Sequence, residues 1–385
     1  MKNRPFLAAL LVIPLTLQAQ TAPPRARPVE DSAPKAKAVE DAAPPKARPA
    51  PAPAAAAPKA KPAADLPEPT PAPEPDVPAE PVDTSGFAPQ PAEKEVEAIV
   101  RLQIYLDERM NGPGYIDGRL GEFGKKAASV WNQIHNVPVE NWGPLVRASS
   151  KAVPNPYTTY TIQPGDVKFV TPTLPSKPQE QVKVKYLGYR SLLELVCERY
   201  HTSEPFLVWL NKGQNLDSLD PGKTLKVPNV TPFKIEDLPQ HREFPRDPAK
   251  SARSVVVDIA ARVAIFFDEN NKPFASFPIT TGESRFIKFG EWKITKMVTT
   301  PEFRWDKAML EEGKRSTEFY QLPIGPNSPV GVLWTSTTRN GIGLHGTSSP
   351  HTIGRSESHG CVRFANWDAV RLPTLIRPGA RLVMR

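Results

Sequence analysis

Cysteine is nearly absent: Cys197 and Cys361 are the only two among 385 residues. Two thiols exclude a disulfide-stapled scaffold and any zinc or iron–sulfur centre built from several thiolates. Long apolar runs are just as scarce. The one of note is Phe6–Leu17, and its 12 residues rise only about 18 Å as a helix, short of a ~30 Å hydrocarbon core. Lys2 and Arg4 precede it and Leu17-Gln18-Ala19 follows it, so 1–19 reads as a cleaved secretory signal and the mature protein is expected to be exported with no membrane span. No cysteine follows the run, which argues against a lipid anchor there. Nucleic-acid signatures are missing too. The net charge of +8 is dispersed, with neither zinc-finger spacing nor interleaved aromatic and arginine residues. That charge suits an acidic partner without naming one.

Proline is the opposite case. Of 47 prolines, 20 fall within residues 20–92, which excludes one continuous fold. That stretch of Pro, Ala, Lys and Glu cannot bury enough apolar surface to offset the entropy of ordering it, so it is expected to be a disordered tether. At ~3.1 Å per residue it could reach roughly 220 Å in polyproline II.

Residues 93–150 change character. Ile99, Leu102, Gln103 and Leu106 recur at helical spacing, as do Ala127, Val130, Trp131 and Ile134, and a Gly114–Gly121 turn containing Ile116-Asp117-Gly118 separates them. This pattern resembles the small helical peptidoglycan-binding domain. Residues 156–230 hold Tyr160-Thr161-Ile162-Gln163-Pro164-Gly165-Asp166, a helix over 189–201, a second over 205–211 ending in Trp209-Leu210-Asn211, and Asp220-Pro221-Gly222-Lys223 leading into a strand at 224–228. The order strand–helix–helix–strand is similar to a LysM module, apart from about twenty extra residues between Asp166 and Tyr189. The likeness implies weak glycan binding through Gly165, Asp166 and Asn211. A linker, 231–251, is expected to follow.

From 252 the pattern turns to strands. Segments 254–259, 264–267, 274–280, 291–298, 331–335, 341–344 and 381–384 are rich in Val, Ile, Phe and Thr, and one helix is expected from Asn366, read as its N-cap. Within seventeen positions lie three of the six histidines, His345, His351 and His359, together with Cys361. Thiolate catalysis needs a nucleophile, a base and donors for the oxyanion. Cys361 can be the first and His345 the second, and a nearby imidazole would lower the thiol pKa. His351 is expected to face solvent and Cys197 to be a core thiol, though a Cys197–Cys361 bridge would silence the site.

Pro323–Gly331, His345-Gly346-Thr347, Ile353-Gly354 and Ser358-His359-Gly360-Cys361-Val362-Arg363 together resemble the L,D-transpeptidase catalytic domain over 252–385. The resemblance implies a mostly β, sandwich-like domain in which Cys361 attacks the diamino acid–D-alanine bond of a tetrapeptide stem. His345 would be the base, Ser358, His359 and Gly360 would shape the oxyanion region, and Arg363, Gly346 and Thr347 would meet substrate. It implies no cofactor and no metal, peptidoglycan stems and glycan strands as partners, a wall-anchored protein as one conceivable acceptor, and carbapenem-type β-lactams as inhibitors. Three other readings stand beside it: an L,D-carboxypeptidase with water as acceptor, a zinc protein using His345, His351, His359 and Cys361, and a wall-binding scaffold without catalysis. His-x-Cys spacing is cramped for one tetrahedral zinc. Residues 252–385 carry 18 Lys+Arg against 12 Asp+Glu, which favours encounter with acidic stem peptides. Thr300–Leu322 is a candidate lid.

Overall fold

The computed structural model describes residues 93–385 apart from 283–286, 288, 313, 340 and 356–360. The expected signal segment (1–19) and tether (20–92) lie outside the described residues. Among the described residues no helix is long and apolar enough to cross a membrane.

Helices α1 (Glu93–Glu108), α2 (Glu122–Ile134) and α3 (Gly143–Ala152) come first. Apolar residues at helical spacing bury Val96, Val100, Ile104, Leu106, Ala127 and Trp131. Helix α3, which sequence reasoning did not anticipate, buries Leu145 and Ser149. Gln103 organises the α1–α2 turn: its Nε2 lies 3.0 Å from the carbonyls of Tyr115 and Arg119 and from Asp117 Oδ1, while its Oε1 accepts from the amides of Asp117 and Gly118. Gly118 has φ +71, and a Cβ there would collide with Val96, so glycine is required.

Next, β1 (Tyr157–Thr161) pairs antiparallel with β2 (Thr224–Pro228) around α4 (Pro178–Gln181), α5 (Leu192–Arg199) and α6 (Glu204–Leu210). The first strand therefore meets the last despite the inserted residues. These reach outward instead: the Leu187 amide donates to Ile324 O and the Leu187 carbonyl accepts from the Asn327 amide, both at 2.9 Å. Residues 231–251, read as a linker, pack as a strap. Phe233 and Ile235 are buried, the Phe244 amide donates to Met297 O, and a turn of helix, α7 (Pro248–Ser251), closes the strap.

The remaining strands are β3 (Ser254–Asp258), β4 (Val263–Phe267), β5 (Pro273–Pro278), β6 (Gly290–Thr299), β7 (Phe303–Trp305), β8 (Tyr320–Leu322), β9 (Leu333–Thr337), β10 (Gly343–His345), β11 (Val362–Arg363) and β12 (Arg381–Met384). Helix α8 (Lys307–Glu312) lies between β7 and β8, and α9 (Asn366–Ala369) and α10 (Leu372–Leu375) follow β11. The expected single helix is thus two, because Pro373 has no N–H to donate back to Ala369. The sandwich-like expectation is also corrected. One eight-stranded sheet runs β11-β10-β9-β6-β12-β3-β4-β5, parallel only at β10–β11 and β12–β3. Strand twist accumulates across it and curls it until its edges meet: Thr280, just beyond β5, exchanges backbone hydrogen bonds of 2.8 and 3.0 Å with Arg363 of β11. Alternate residues Val255, Val257, Phe266, Phe277 and Leu382 fill its interior.

All described residues belong to one compact unit. A continuous apolar cluster runs from α1 and α2 through α5 and α6 to Val332, Ala365 and Trp367.

Candidate active site

Strand β10 lies between β9 and β11, with Leu344 opposite Val362 and His345 opposite Arg363. Cys361 precedes β11 by one residue, so the same register places it opposite Gly343. Side chains alternate along a strand, and Leu344 and Val362, both fully buried, point into the apolar interior. His345, Cys361 and Arg363 therefore share the other face, on adjacent strands. Neither cysteine is in a disulfide, and Cys197 is buried on α5. The Cys361 sulfur is 3.7 Å from Gly341 O. His351 is exposed.

His345 is only 4% exposed. Its Nδ1 is 2.6 Å from Gly346 O, and a carbonyl can only accept, so Nδ1 carries the proton and Nε2 keeps a lone pair. The ring stacks on Trp334 of β9 at 5.4 Å. Burial, then the nearby Arg363 charge, pushes the imidazole down to about 3. Burial also raises the Cys361 thiol above its ordinary value, against the opposing pull of the Gly343 amide and Arg363. Both shifts run against the expectation that an imidazole lowers this thiol pKa, since each favours the neutral form of its group. Arg363 is half-buried, its charged form is disfavoured by burial, and its Nε has no hydrogen-bond partner among the described residues.

Sequence reasoning missed Asn366. Ala365 is the N-cap, and Asn366 is the fully buried first residue of α9. Its Oδ1 accepts the Val332 and Thr347 amides, both at 3.2 Å. Its Nδ2 donates to Pro326 O at 3.1 Å and to Glu198 Oε1 at 2.9 Å. Both donors and both acceptor sites are used. A Cβ on Gly331 or Gly346 would collide with this Oδ1, which is why glycine occupies both positions. One turn before Glu198 on α5, Glu194 Oε1 accepts from Asn327 Nδ2 at 3.2 Å, while Asn327 Oδ1 accepts from Arg190 at 3.0 Å. Burial pushes Glu198 up to about 8. A second set of links joins the same parts. Asp107 of α1 meets Arg371 at 2.6 Å and His201 at 3.2 Å, and these partners hold its carboxyl well below the usual range although burial opposes ionisation.

Ser358, His359 and Gly360 lie outside the described residues. Thr347 is buried, and its Oγ1 accepts the Ser349 amide. In the candidate lid, β7 and β8 pair and Asp306 accepts from the Met309 and Ser316 amides, which sets α8 so that Met309 approaches Gly341. Asp166 and Asn211, expected to contact glycan, have their side chains engaged by hydrogen bonds inside the fold. Asp166 accepts from the Tyr160 hydroxyl, the Gln163 amide and Arg199. Asn211 donates to Leu207 O and Lys226 O and accepts from the Lys226 amide. Gly165 is exposed. Among the described residues no three His, Cys, Asp or Glu side chains are grouped to hold a metal ion; His359 of the zinc reading is outside them.

Residues 252–384 match the family model of YkuD, the L,D-transpeptidase catalytic domain. The chain is similar to the "Putative L,D-transpeptidase YkuD" of Bacillus licheniformis, 22% identical over 190 residues, which span 49% of this chain and 91% of that protein. It is also 27% identical over 138 residues to the protein of the same name in Bacillus subtilis, covering 36% of this chain and 69% of that one. Among solved structures, L,D-transpeptidase 3 from Mycobacterium tuberculosis with a faropenem-derived adduct aligns at a TM-score of 0.29 and 13% identity, over 44% of this chain and 76% of that chain.

Proposed function

Residues 252–384 belong to the L,D-transpeptidase catalytic domain family, and from that premise we propose that the chain is an exported cysteine acyltransferase acting on peptidoglycan stems. The observation that carries the reading is the shared sheet face of Cys361 and His345, with the imidazole held as the tautomer whose Nε2 can accept a proton. The Cys361 sulfur attacks the carbonyl carbon between the diamino acid and D-alanine as its proton passes to His345 Nε2. Collapse of the tetrahedral adduct breaks the C–N bond, and D-alanine leaves with the proton from the imidazolium, giving a thioester. An acceptor amine then loses a proton to Nε2 and attacks the thioester, releasing the Cys361 thiol and forming the new amide.

A second stem as acceptor gives a 3→3 cross-link, a protein lysine gives an anchored protein, and water gives a carboxypeptidase product. The unpartnered Nε of Arg363 on the same face suits a substrate carboxylate. Ser358, His359 and Gly360 complete the oxyanion region on this reading, with Gly346 and Thr347 lining the approach. The helical and βααβ segments would hold the chain on the wall, placing it in the periplasm or cell wall.

The test is incubation of the full chain with purified sacculi and with disaccharide tetrapeptides. Released D-alanine accompanied by dimers, tripeptides or protein-linked stems supports the proposal and names the acceptor. No D-alanine and no acyl-enzyme mass would overturn it in favour of a wall-binding scaffold.

A further inference from the structure

The catalytic strands receive a buried contact from outside the family domain. Glu198 lies on α5, 168 residues from Asn366 in the chain, and its Oε1 accepts the Asn366 amide at 2.9 Å and the Tyr189 hydroxyl at 3.3 Å. Asn366 in turn holds the Val332 and Thr347 amides, gathering the two segments that flank Gly331 and Gly346. The Gly346 carbonyl is the acceptor that fixes the His345 tautomer. A chain of hydrogen bonds therefore runs from α5 to the base: Glu198, Asn366, the Thr347 amide, the adjoining Gly346 carbonyl, and His345 Nδ1.

We propose that Glu198 is a positioning residue for the transpeptidase reaction, contributed by the upstream βααβ segment and acting through Asn366 on the peptide that orients His345.

Two features of the geometry support this over simple adhesion between segments. Asn366 has no spare hydrogen-bonding capacity, so losing Glu198 leaves a buried N–H without a partner and frees the amide to turn. Turning the amide would withdraw the acceptor from Thr347 and loosen the Gly346–Thr347 peptide directly beside the imidazole. Glu194 and Asn327, one helical turn away, repeat the arrangement on the Pro323–Gly331 loop, so α5 presents two carboxyl groups to two asparagines of the catalytic part. Small displacements of a base are costly, with losses on the order of a hundredfold for an error near 1 Å.

The inference rests on His345 acting as base, and the experiment separates the two claims. In the full chain, Glu198→Leu removes the acceptor at similar volume, while Glu198→Gln keeps an oxygen at the same reach. The expected result for Glu198→Leu is a kcat for D-alanine release lowered roughly 10- to 100-fold with KM within about threefold, and Glu198→Gln should stay within about threefold of the parent in both. On 15N-imidazole-labelled protein, the Nδ1–H signature of His345 should be kept in Glu198→Gln and lost or averaged in Glu198→Leu. Should Glu198→Leu not fold, Glu198→Asp, one methylene shorter, is expected to show the same losses. A folded Glu198→Leu or Glu198→Asp protein with parental kcat and an unchanged His345 signal would overturn the inference. So would a loss of kcat no larger than the fraction of protein unfolded. A parent chain that releases no D-alanine defeats the acyltransfer reading instead, and the His345 signal then decides the positioning claim alone.

Discussion

Raising the pH should increase the reactivity of Cys361 without any inflection near neutrality. Burial and the Arg363 charge hold the His345 imidazole near 3, and burial holds the Cys361 thiol above its ordinary 9.0. Both shifts oppose moving a proton from that sulfur to that ring before substrate arrives. A resting thiolate–imidazolium pair is therefore disfavoured. Alkylation of Cys361 by iodoacetamide, followed by peptide mapping to separate it from buried Cys197, should be slow at pH 7 and rise about tenfold per pH unit to pH 9. His345→Ala should leave that profile in place, because the imidazole does not stabilise the thiolate before substrate arrives. D-Alanine release should behave differently. There the imidazole takes the proton as the C–S bond forms, so kcat/KM should be level from about pH 5 to 8 and should show a solvent deuterium isotope effect. An alkylation midpoint below pH 7 that disappears in His345→Ala would refute this reasoning and establish a preformed ion pair.

Other expected outcomes follow from the same geometry. Cys361→Ala should form no covalent adduct with a carbapenem, checked by intact mass; an adduct of parental mass would refute the assignment of the nucleophile. His345→Ala should slow acylation by roughly 10²–10⁴-fold, and near-parental rates would transfer the base role to another group. Gly325, at φ +148, has the Leu187 carbonyl where a Cβ would go, so Gly325→Ala should lower stability by about 1–3 kcal/mol, read as a lower urea midpoint. Glu198 titrates near 8 when folded against an ordinary 4.5, so the folded state holds a proton that the unfolded state has lost, and stability falls as pH rises from 4.5 to 8. Glu198→Gln is free of that loss and should exceed the parent by about 3 kcal/mol at pH 7 while matching it near pH 4; parallel urea curves across that range would contradict the assignment.

What could be read from the chain depended on whether the signal was local. That Cys361 and His345 would share a sheet face was legible because a histidine ending one strand and a cysteine sixteen residues later form a short-range pattern that needs no knowledge of packing. Strands β3, β4 and β12 were legible because β-branched runs between turn residues bury alternate side chains. Asn366 was misread for the same reason. Its position before a helical segment suggests a cap, whereas its four hydrogen bonds go to Pro326, Val332, Thr347 and Glu198, none of them near it in sequence. Asp166 and Asn211 look like exposed polar motif positions until folding turns them inward toward Arg199 and Lys226. The direction of the thiol shift was not legible because an imidazole nearby in sequence says nothing about the surroundings that folding gives each group.

The contacts of α5 and α1 with the catalytic strands mean that the family domain is not an interchangeable cassette. Cut away from the residues before 252, it would keep Cys361 and His345 but take one acidic partner from each of Asn366 Nδ2, Asn327 Nδ2 and the Arg371 guanidinium, whose partners Glu198, Glu194 and Asp107 lie upstream. A chimera that replaces residues before 252 with another segment would have to bring equivalent acids to the same three places.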